Sequence, residues 1–474
     1  MLFNSWVFPV FFLIVFALYV RLRHRPQNLL LLMASYVFYG WWDWRFLSLL
    51  AISTVVDYHC AQRLQSTEDP RRRKLFLYLS LCVNLGFLGF FKYFNFFCGS
   101  AESLLLQLGM QPDMPTLQII LPVGISFYTF QTMAYTIDVY RRKEVATKDF
   151  LSFAVYVSFF PQLVAGPIER STALLPQIQS KRRITLSQLH RGSQLVLIGY
   201  FKKVFIADGV APLVNQCFDD PASKSGAYLL IGVYLFAIQI YGDFSGYTDI
   251  ARGISRMLGI ELCLNFKQPY LSRNITEFWR RWHISLSSWL RDYLYIPLGG
   301  NRRGALMTYR NLFMTMLLGG LWHGAGWTFV IWGALHGSYL AIHKLMTRAR
   351  RGEVATVPRS LRGWLKWTAG VFVTFHLVCF AWIFFRAPDL SSALLYVNGI
   401  GTLTTDGVSM LAQVLVFYGF FVLLVDFPAW FRDAELPFRD SWRPWLRGVV
   451  YAVMVILISF VGDSGAQPFI YFQF

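Results

Sequence analysis

Apolar segments alternate with short basic loops along most of the chain. The first segment covers residues 6–20 and is followed by Arg21, Arg23 and Arg25. No basic residues precede it and no small-residue cleavage site follows it, which indicates a retained membrane span rather than a signal peptide. Because Lys and Arg collect in cytoplasmic loops, the pattern predicts that the N-terminus lies outside the membrane.

The same alternation continues through the first third of the chain. Four more segments are predicted as crossings, the last of them interrupted by glycine and proline: residues 29–42, 46–60, 75–91 and 117–139. The basic loops at residues 71–74 and 141–143 then both lie on the cytoplasmic side, as the distribution of Lys and Arg requires.

Residues 151–165 form an apolar segment of a different kind. The segment is short, contains Pro161 and lies between two basic loops, at residues 141–148 and 181–191. A re-entrant segment explains both its length and its flanks. Irregular backbone at membrane depth is tolerated only where protein or water covers it, so this segment predicts a cavity.

The remaining pattern predicts further helices. Its apolar segments are residues 195–206, 227–241, 312–322, 328–343, 367–385, 411–427 and 449–461. The basic stretches 252–310 and 344–366 place both ends of residues 305–343 in the cytoplasm, so this part must cross out and return, turning at residues 322–327. We expect an all-α polytopic membrane protein with about eleven transmembrane or re-entrant helices and a single domain over residues 1–474, without internal repeats.

Composition supports the membrane assignment. Of the 474 residues, 55% are hydrophobic, 18% aromatic and only 15% charged, which excludes an ordinary soluble enzyme. The net charge of +18 is explained by basic cytoplasmic loops that lie beside anionic lipid. The sequence has no basic motif of the nucleic-acid-binding kind, so we expect no nucleic-acid partner. Six scattered cysteines without a CxxC pair argue against a disulfide framework and against a zinc site.

Common catalytic motifs are missing from the sequence, including GxxxxGK[ST], GxSxG and HExxH. Among the eight histidines, three lie beside loop charges and are expected to be solvated or interfacial: His24, His59 and His190. His376 lies within an apolar segment and is consistent with a core residue bonded to a neighbouring carbonyl. His323 differs, because it stands between Trp322 and Gly324 in a turn within or at the edge of the bilayer.

An ionisable residue at membrane depth is a candidate for function, since burying it without a use or a partner is costly. A neutral imidazole can accept a proton as a general base, and the neighbouring glycines would let a long substrate approach the backbone. The alternative is a buried histidine bonded to a carbonyl at a turn between helices. The pattern around His323 leaves both interpretations open.

Two further clusters could carry chemistry. Residues 278–293 place tryptophans and arginines at helical spacing, which is typical of an amphipathic helix at the membrane surface. The alternative is a basic lip for a phosphate-bearing donor, with His283 reaching into a cavity. Residues 241–249 end a predicted span and carry Asp243 and Asp249, which could pair with Arg252 or Arg256 or act as a catalytic carboxylate.

Several runs together resemble the membrane-bound O-acyltransferase (MBOAT) family. They are GISFY at 124–128, PQLVAGP at 161–167, GDFSGY at 242–247, residues 278–293, LWHG at 321–324 and PFIYF at 468–472. The resemblance extends over nearly the whole chain and is strongest to the bacterial alginate O-acetyltransferase branch. The D-alanyltransferases of teichoic acid and the acetylases of cellulose and other exopolysaccharides share much of the pattern.

The resemblance implies helices around a central tunnel in the bacterial inner membrane, through which an acyl group passes from a cytoplasmic thioester to a hydroxyl outside. It implies no bound cofactor and no metal, with acetyl-CoA or an acyl carrier protein as the donor co-substrate. The acceptor would be a polysaccharide such as alginate, or a serine of a periplasmic acetyltransferase partner. The family's essential histidine corresponds to His323 and its upstream histidine to His283. The imidazole of His283 or an amide in the tunnel would then donate a hydrogen bond to the oxyanion.

Three other interpretations remain. A transporter or flippase would also have broken helices, but it would favour internal symmetry, which the sequence lacks. Transfer to a lipid acceptor would need a lateral opening. A scaffold that only recruits periplasmic enzymes would tolerate replacement of His323.

Overall fold

The structure is a computed structural model that describes residues 1–112, 114–347, 357–402, 404–439, 441–462 and 469–470. Within these ranges every regular element is helical, as the sequence predicts. The first ten helices are α1 (Val7–Tyr19), α2 (His24–Asp43), α3 (Leu47–Ser66), α4 (Pro70–Leu88), α5 (Phe94–Gln107), α6 (Ile125–Tyr140), α7 (Phe150–Ser158), α8 (Phe160–Leu163), α9 (Ser171–Gln179) and α10 (Leu186–Tyr200).

The second half continues the helical pattern. Its helices are α11 (Gly209–Asp219), α12 (Gly226–Met257), α13 (Ile275–Arg281), α14 (Ile284–Leu290), α15 (Gly304–His323), α16 (Trp327–Met346), α17 (Leu361–Arg386), α18 (Leu390–Gly401), α19 (Val408–Phe431) and α20 (Pro444–Gly462). Three π-helical turns interrupt the regular geometry, at Gly89–Tyr93, Phe201–Asp208 and Arg291–Tyr295. Such turns occur frequently at functional sites.

Five helical segments of the described chain are long and apolar enough to cross a membrane. They are Pro70–Gln107, Gly226–Met257, Leu361–Arg386, Val408–Phe431 and Pro444–Val461. The predicted crossings at residues 6–20, 29–42, 46–60, 312–322 and 328–343 are helical as well. The total of about eleven stays a prediction, as does the single domain over residues 1–474.

The chain forms two compact units. The first consists of Met1–Val196 and Ile250–Cys263, and the second of Leu197–Asp249 and Leu264–Phe474. Part of the basic stretch 344–366 and most of the closing PFIYF run lie outside the described residues. His283 and His323 both belong to the second unit.

The first unit contains the predicted broken segment. Helix α7 ends before Phe159, and the four-residue helix α8 begins immediately afterwards with Pro161 in its first turn. Phe160 is fully buried, and its backbone N–H donates to the hydroxyl oxygen of Ser35 at 3.0 Å. The protein therefore satisfies the backbone at the break, which is the condition for irregular structure away from water.

Helices α15 and α16 form a tight hairpin in the second unit. A Cβ atom at Gly333 would lie 2.4 Å from the carbonyl oxygen of Met316, and one at Gly320 would lie 2.2 Å from that of Phe329. Only glycine fits at these two positions, so the two backbones pack directly against each other, as small residues allow between membrane helices. The predicted turn at residues 322–327 connects the two helices.

The prediction of one continuous surface helix over residues 278–293 is wrong. The structure has α13 and α14 instead, separated at His283, whose φ of +44° is left-handed. Phe278, Trp282 and Trp289 are all buried. The tryptophans pack inside the second unit, so helical spacing in the sequence reflected core packing rather than one amphipathic surface.

Candidate active site

His323 ends helix α15 inside an aromatic enclosure. The residue is 4% exposed, and its ring centroid lies 5.0 Å from that of Trp322, 4.9 Å from Trp332 and 5.4 Å from Phe385. The chain leaves the helix at Gly324, where a Cβ atom would lie only 2.0 Å from the ring of Phe329. The tight turn therefore holds the imidazole among rings that shield it from water.

His283 is held by a polar contact on one of its nitrogens. Its Nδ1 lies 3.1 Å from Oδ1 of Asn265, which also accepts the backbone N–H of Ser285 at 3.2 Å. Because a backbone nitrogen can only donate, this Asn265 atom must be the oxygen, and His283 Nδ1 must carry the proton. The lone pair of the imidazole is then on Nε2.

Burial keeps this second histidine neutral. His283 is fully buried, and desolvation lowers its pKa to about 3. A neutral ring with its lone pair on Nε2 can accept a proton or a hydrogen bond at that atom.

The structure brings the two predicted histidines together around one indole. The ring centroid of Trp322 lies 6.1 Å from His283 and 5.0 Å from His323. On its other side, His283 makes an edge contact with Phe244, at 4.7 Å between centroids. Residues forty positions apart in the sequence thus share one buried aromatic neighbourhood.

A third histidine, His336, which the sequence pattern did not single out, joins this neighbourhood. The side chain is fully buried in α16, and its ring centroid lies 4.7 Å from Trp332 and 5.1 Å from Trp279. Trp279 Nε1 donates to His336 Nδ1 at 3.3 Å. The signal that could have found it is its spacing four positions after Trp332, on the same helix face as that indole.

The carboxylates of residues 241–249 have lysine partners. Asp243 and Asp208 lie 2.8 Å from Nζ of Lys203, and Asp249 lies 2.8 Å from Nζ of Lys202. Both lysines belong to the π-helical turn Phe201–Asp208, and α12 continues through this region instead of ending there. Arg256, one of the partners expected from the sequence, pairs with Glu261.

This ion cluster also fixes a short part of the C-terminal region. Oδ2 of Asp243 accepts the backbone N–H of Ile470 at 2.7 Å. The preceding Phe469 contacts Phe244, with 5.6 Å between ring centroids. Because Phe244 contacts His283, the cluster supports the packing next to the second histidine.

A cavity of about 650 Å³ lies in the second unit beside α13. Its lining includes three arginines and three tryptophans: Arg273, Arg281, Arg359, Trp364, Trp367 and Trp430. The carboxylate of Glu277 lies between two of the arginines and accepts hydrogen bonds from both, from Nε of Arg273 at 3.2 Å and from Nε of Arg281 at 3.1 Å. The residues after Glu277 in the same helix, Phe278 and Trp279, contact His336, so α13 links the cavity to the histidines.

Two other histidines make structural contacts. His376 Nδ1 donates to the carbonyl oxygen of Phe372 at 2.7 Å, so the predicted carbonyl bond is present, but the side chain is half-buried rather than in the core. His24 Nε2 donates to the carbonyl oxygen of Ile178 at 2.8 Å.

Comparisons with known proteins identify the family of the chain. Residues 141–385 match the model of the MBOAT, membrane-bound O-acyltransferase family. The chain is 46% identical to the "Probable alginate O-acetylase AlgI" of Azotobacter vinelandii, over 83% of this chain and 76% of that protein. Identity to the protein of the same name from Pseudomonas putida is 40%, covering both chains fully. The "Peptidoglycan O-acetyltransferase" of Helicobacter pylori is 39% identical, over 86% of this chain and 81% of that protein.

The matched region contains both predicted histidines as well as His336. The match covers more than half of the chain, and the similarity to the first of these relatives extends over most of both sequences. The chain is therefore an O-acyltransferase and belongs to the membrane-bound O-acyltransferase family.

Proposed function

We propose that this enzyme moves an acetyl group from a cytoplasmic thioester across the bacterial inner membrane to a hydroxyl on the outer side. The observation that carries the proposal is the position of His323, buried at the end of α15 among three aromatic rings. Such an enclosure excludes water, which would otherwise hydrolyse the thioester. We place the N-terminus outside, in line with the basic loops.

In the proposed mechanism His323 is the general base. It accepts the proton of the attacking hydroxyl while the oxygen of that hydroxyl forms a bond to the thioester carbonyl carbon. His283 assists as a second neutral imidazole, whose Nε2 lone pair accepts a hydrogen bond from the incoming acceptor. The contact of both rings with Trp322 supports a shared site.

The cavity beside α13 supports a small nucleotide-bearing donor such as acetyl-CoA, rather than an acyl carrier protein. Arginine guanidiniums match the geometry of phosphate oxygens, and tryptophan faces stack on flat bases. The volume of about 650 Å³ is that of a small-molecule pocket. In membrane vesicles, Arg359→Glu should raise the KM for acetyl-CoA about tenfold, a change of about 1.4 kcal/mol.

The control for this variant is Arg362→Glu, which changes the same charge three positions away. Arg362 is exposed and does not line the cavity. Equal KM values for the two variants, or transfer from an acyl carrier protein but not from acetyl-CoA, would remove the support for a nucleotide-bearing donor.

The acceptor we propose is an exopolysaccharide such as alginate, reached directly or through a serine of a periplasmic acetyltransferase partner. Relatives named alginate O-acetylase, at 40 to 47% identity, support this choice. The "Teichoic acid D-alanyltransferase" of Streptococcus thermophilus is 29% identical over 59% of this chain, which gives D-alanyl transfer weaker support.

The experiment is mass spectrometry of secreted and surface polysaccharides from wild-type cells, a deletion strain, and the deletion strain complemented with His323→Ala. We expect O-acetyl groups to disappear in the deletion and to stay absent with this variant. His190→Ala is the matched control, because His190 is exposed on α10 and should restore acetylation. Full acetylation with His323→Ala at wild-type protein levels would favour a scaffold or transporter instead.

A further inference from the structure

Two buried N–H groups in the aromatic cluster around His323 have no acceptor among the residues that the structure describes. They are Nε1 of Trp332, which is 1% exposed, and Nε2 of His336, which is fully buried. Buried polar groups in proteins are nearly always hydrogen-bonded, and each exception calls for an explanation.

The protonation of His336 follows from its neighbour. Trp279 Nε1 is an indole nitrogen that can only donate, and it donates to His336 Nδ1. Nδ1 therefore carries the lone pair, and in the neutral ring the proton is on Nε2. His336 has the opposite tautomer to His283, whose Nε2 carries the lone pair and cannot donate.

The rings that carry the two N–H groups pack against each other, and one of them, Trp332, packs against the proposed base. Trp332 and His336 are four residues apart on one face of α16, with 4.7 Å between ring centroids, and Trp332 lies 4.9 Å from His323. A neighbouring indole in the same aromatic cluster is paired, since Trp382 Nε1 donates to the hydroxyl of Tyr270 at 3.2 Å. The indole of Trp382 thus has an acceptor within the protein, whereas Trp332 Nε1 and His336 Nε2 have none among the described residues.

We propose that Trp332 Nε1 and His336 Nε2 form an oxyanion hole that donates hydrogen bonds to the carbonyl oxygen of the acyl thioester. The inference rests on the proposed function and assigns two further catalytic residues to that site. Buried N–H groups aimed at developing negative charge are a major source of stabilisation in acyl transfer, since they need no reorganisation during the reaction.

In the proposed step each bond that forms is matched by a bond that breaks. The acceptor oxygen bonds to the carbonyl carbon as its proton moves to His323, and the carbonyl π electrons move to the oxygen between the two N–H groups. The intermediate collapses by re-forming the carbonyl and breaking the carbon–sulfur bond. The thiolate that leaves takes the proton from His323, so the products are the ester and the thiol.

The test compares Trp332→Phe with Trp382→Phe in vesicles prepared from membranes that contain the full chain. Initial rates of label transfer from radiolabelled acetyl-CoA to polysaccharide give kcat and KM, and thermal unfolding of the purified protein gives stability. Trp332→Phe removes an N–H that has no acceptor in the part of the chain that the structure describes, so it should lower kcat on the order of 10²-fold with little change in KM or in unfolding temperature.

Trp382→Phe should show the reverse. It breaks the hydrogen bond to Tyr270, so the unfolding temperature should fall while kcat stays close to the wild-type value. A structural role for the Trp332 indole predicts no selective loss of kcat. Wild-type kcat in Trp332→Phe would overturn the proposal.

His336 is tested by a pair of variants. His336→Gln keeps an acceptor for Trp279 and an N–H donor on one amide, whereas His336→Phe removes both. We expect Gln to retain much more activity than Phe when the two are compared at equal amounts of folded protein. Equal kcat values for these variants would overturn the role of His336.

The outcome for His323→Ala separates this inference from the proposed function. If transfer survives that substitution, the proposed base is wrong. If transfer is lost with His323→Ala but Trp332→Phe and His336→Phe keep wild-type kcat, the base stands and only the oxyanion hole is refuted.

Discussion

Asn265→Leu is expected to inactivate His283 without removing it. Asn265 is 1% exposed, and its Oδ1 accepts from His283 Nδ1, from the Ser285 backbone nitrogen and from the Ser285 hydroxyl, at 3.1, 3.2 and 2.9 Å. Leucine has the same branching at Cγ and no acceptor. The substitution therefore removes the contact that keeps the His283 proton on Nδ1.

The expected losses of stability and of rate depend on which of the donors to Asn265 can find another acceptor. The Ser285 hydroxyl can rotate, and it lies 3.5 Å from His283 Nδ1, so it can donate there once the imidazole proton has moved to Nε2. The backbone N–H of Ser285 is fixed and stays buried without an acceptor, which costs about 1–3 kcal/mol of stability. Moving the imidazole proton removes the Nε2 lone pair that holds the acceptor, and misplacing a reacting group by about 1 Å can lower a rate by about 10².

Rates of acetyl transfer and thermal unfolding measure the two effects separately. We expect Asn265→Leu to lose activity about 10²-fold and to unfold at a lower temperature. Ser285→Ala is the control, because it removes one donor and keeps the bond between Asn265 and His283. It should be slightly less stable than wild type and close to wild type in rate.

Protonation of His283 does not complicate this comparison. Burial lowers the pKa of His283 to about 3, so the ring stays neutral in the wild-type protein across roughly pH 5 to 8. The reasoning is refuted if Asn265→Leu keeps the wild-type rate while its unfolding temperature falls, because the tautomer of His283 would then have no part in transfer.

Three further substitutions test the framework of the site. Lys203→Met should lower stability by about 3–5 kcal/mol because it leaves two buried carboxylates without their cation, whereas Lys366→Met, at an exposed position, should have little effect in the same unfolding assay. Gly333→Ala should sharply reduce the yield of folded protein in size-exclusion chromatography, since its Cβ would lie 2.4 Å from a carbonyl oxygen, whereas Gly419→Ala has open space and should be tolerated. Phe469→Ala should lower the transfer rate by loosening Phe244 against His283, and an unchanged rate would contradict that link.

The sequence was sufficient for the helical framework and for the position of His323. Apolar segments between basic loops predict helices well, because the backbone hydrogen bonds of a membrane helix form within the segment itself. The information needed to predict such a helix is therefore local in the sequence. The break near Pro161 and the turn at residues 322–327 are local features for the same reason. His323 stood out because its neighbours in sequence, Trp322 and Gly324, are also part of its surroundings in space.

Features that depend on contacts distant in sequence were not predictable from the pattern. Helical spacing over residues 278–293 gave no sign of the left-handed conformation at His283 or of its hydrogen bond to Asn265, eighteen positions earlier in the chain. The two lysines that pair with the carboxylates of α12 lie in a π-helical turn, 40 and 47 positions before their partners. His336 resembled any polar residue in an apolar helix until Trp279 was placed beside it.

The opposite tautomers of His283 and His336 explain how one buried aromatic site could serve both partners of an acyl transfer. The incoming acceptor needs a lone pair that holds it by a hydrogen bond, and the thioester carbonyl needs N–H groups for its developing charge. A single freely tautomerising imidazole would be in the wrong form for one of these tasks part of the time. Fixing His283 through Asn265 and His336 through Trp279 assigns each task to one ring before the substrates arrive. His323 is then left to take up and return the proton, and the enclosing indoles keep water from competing for it.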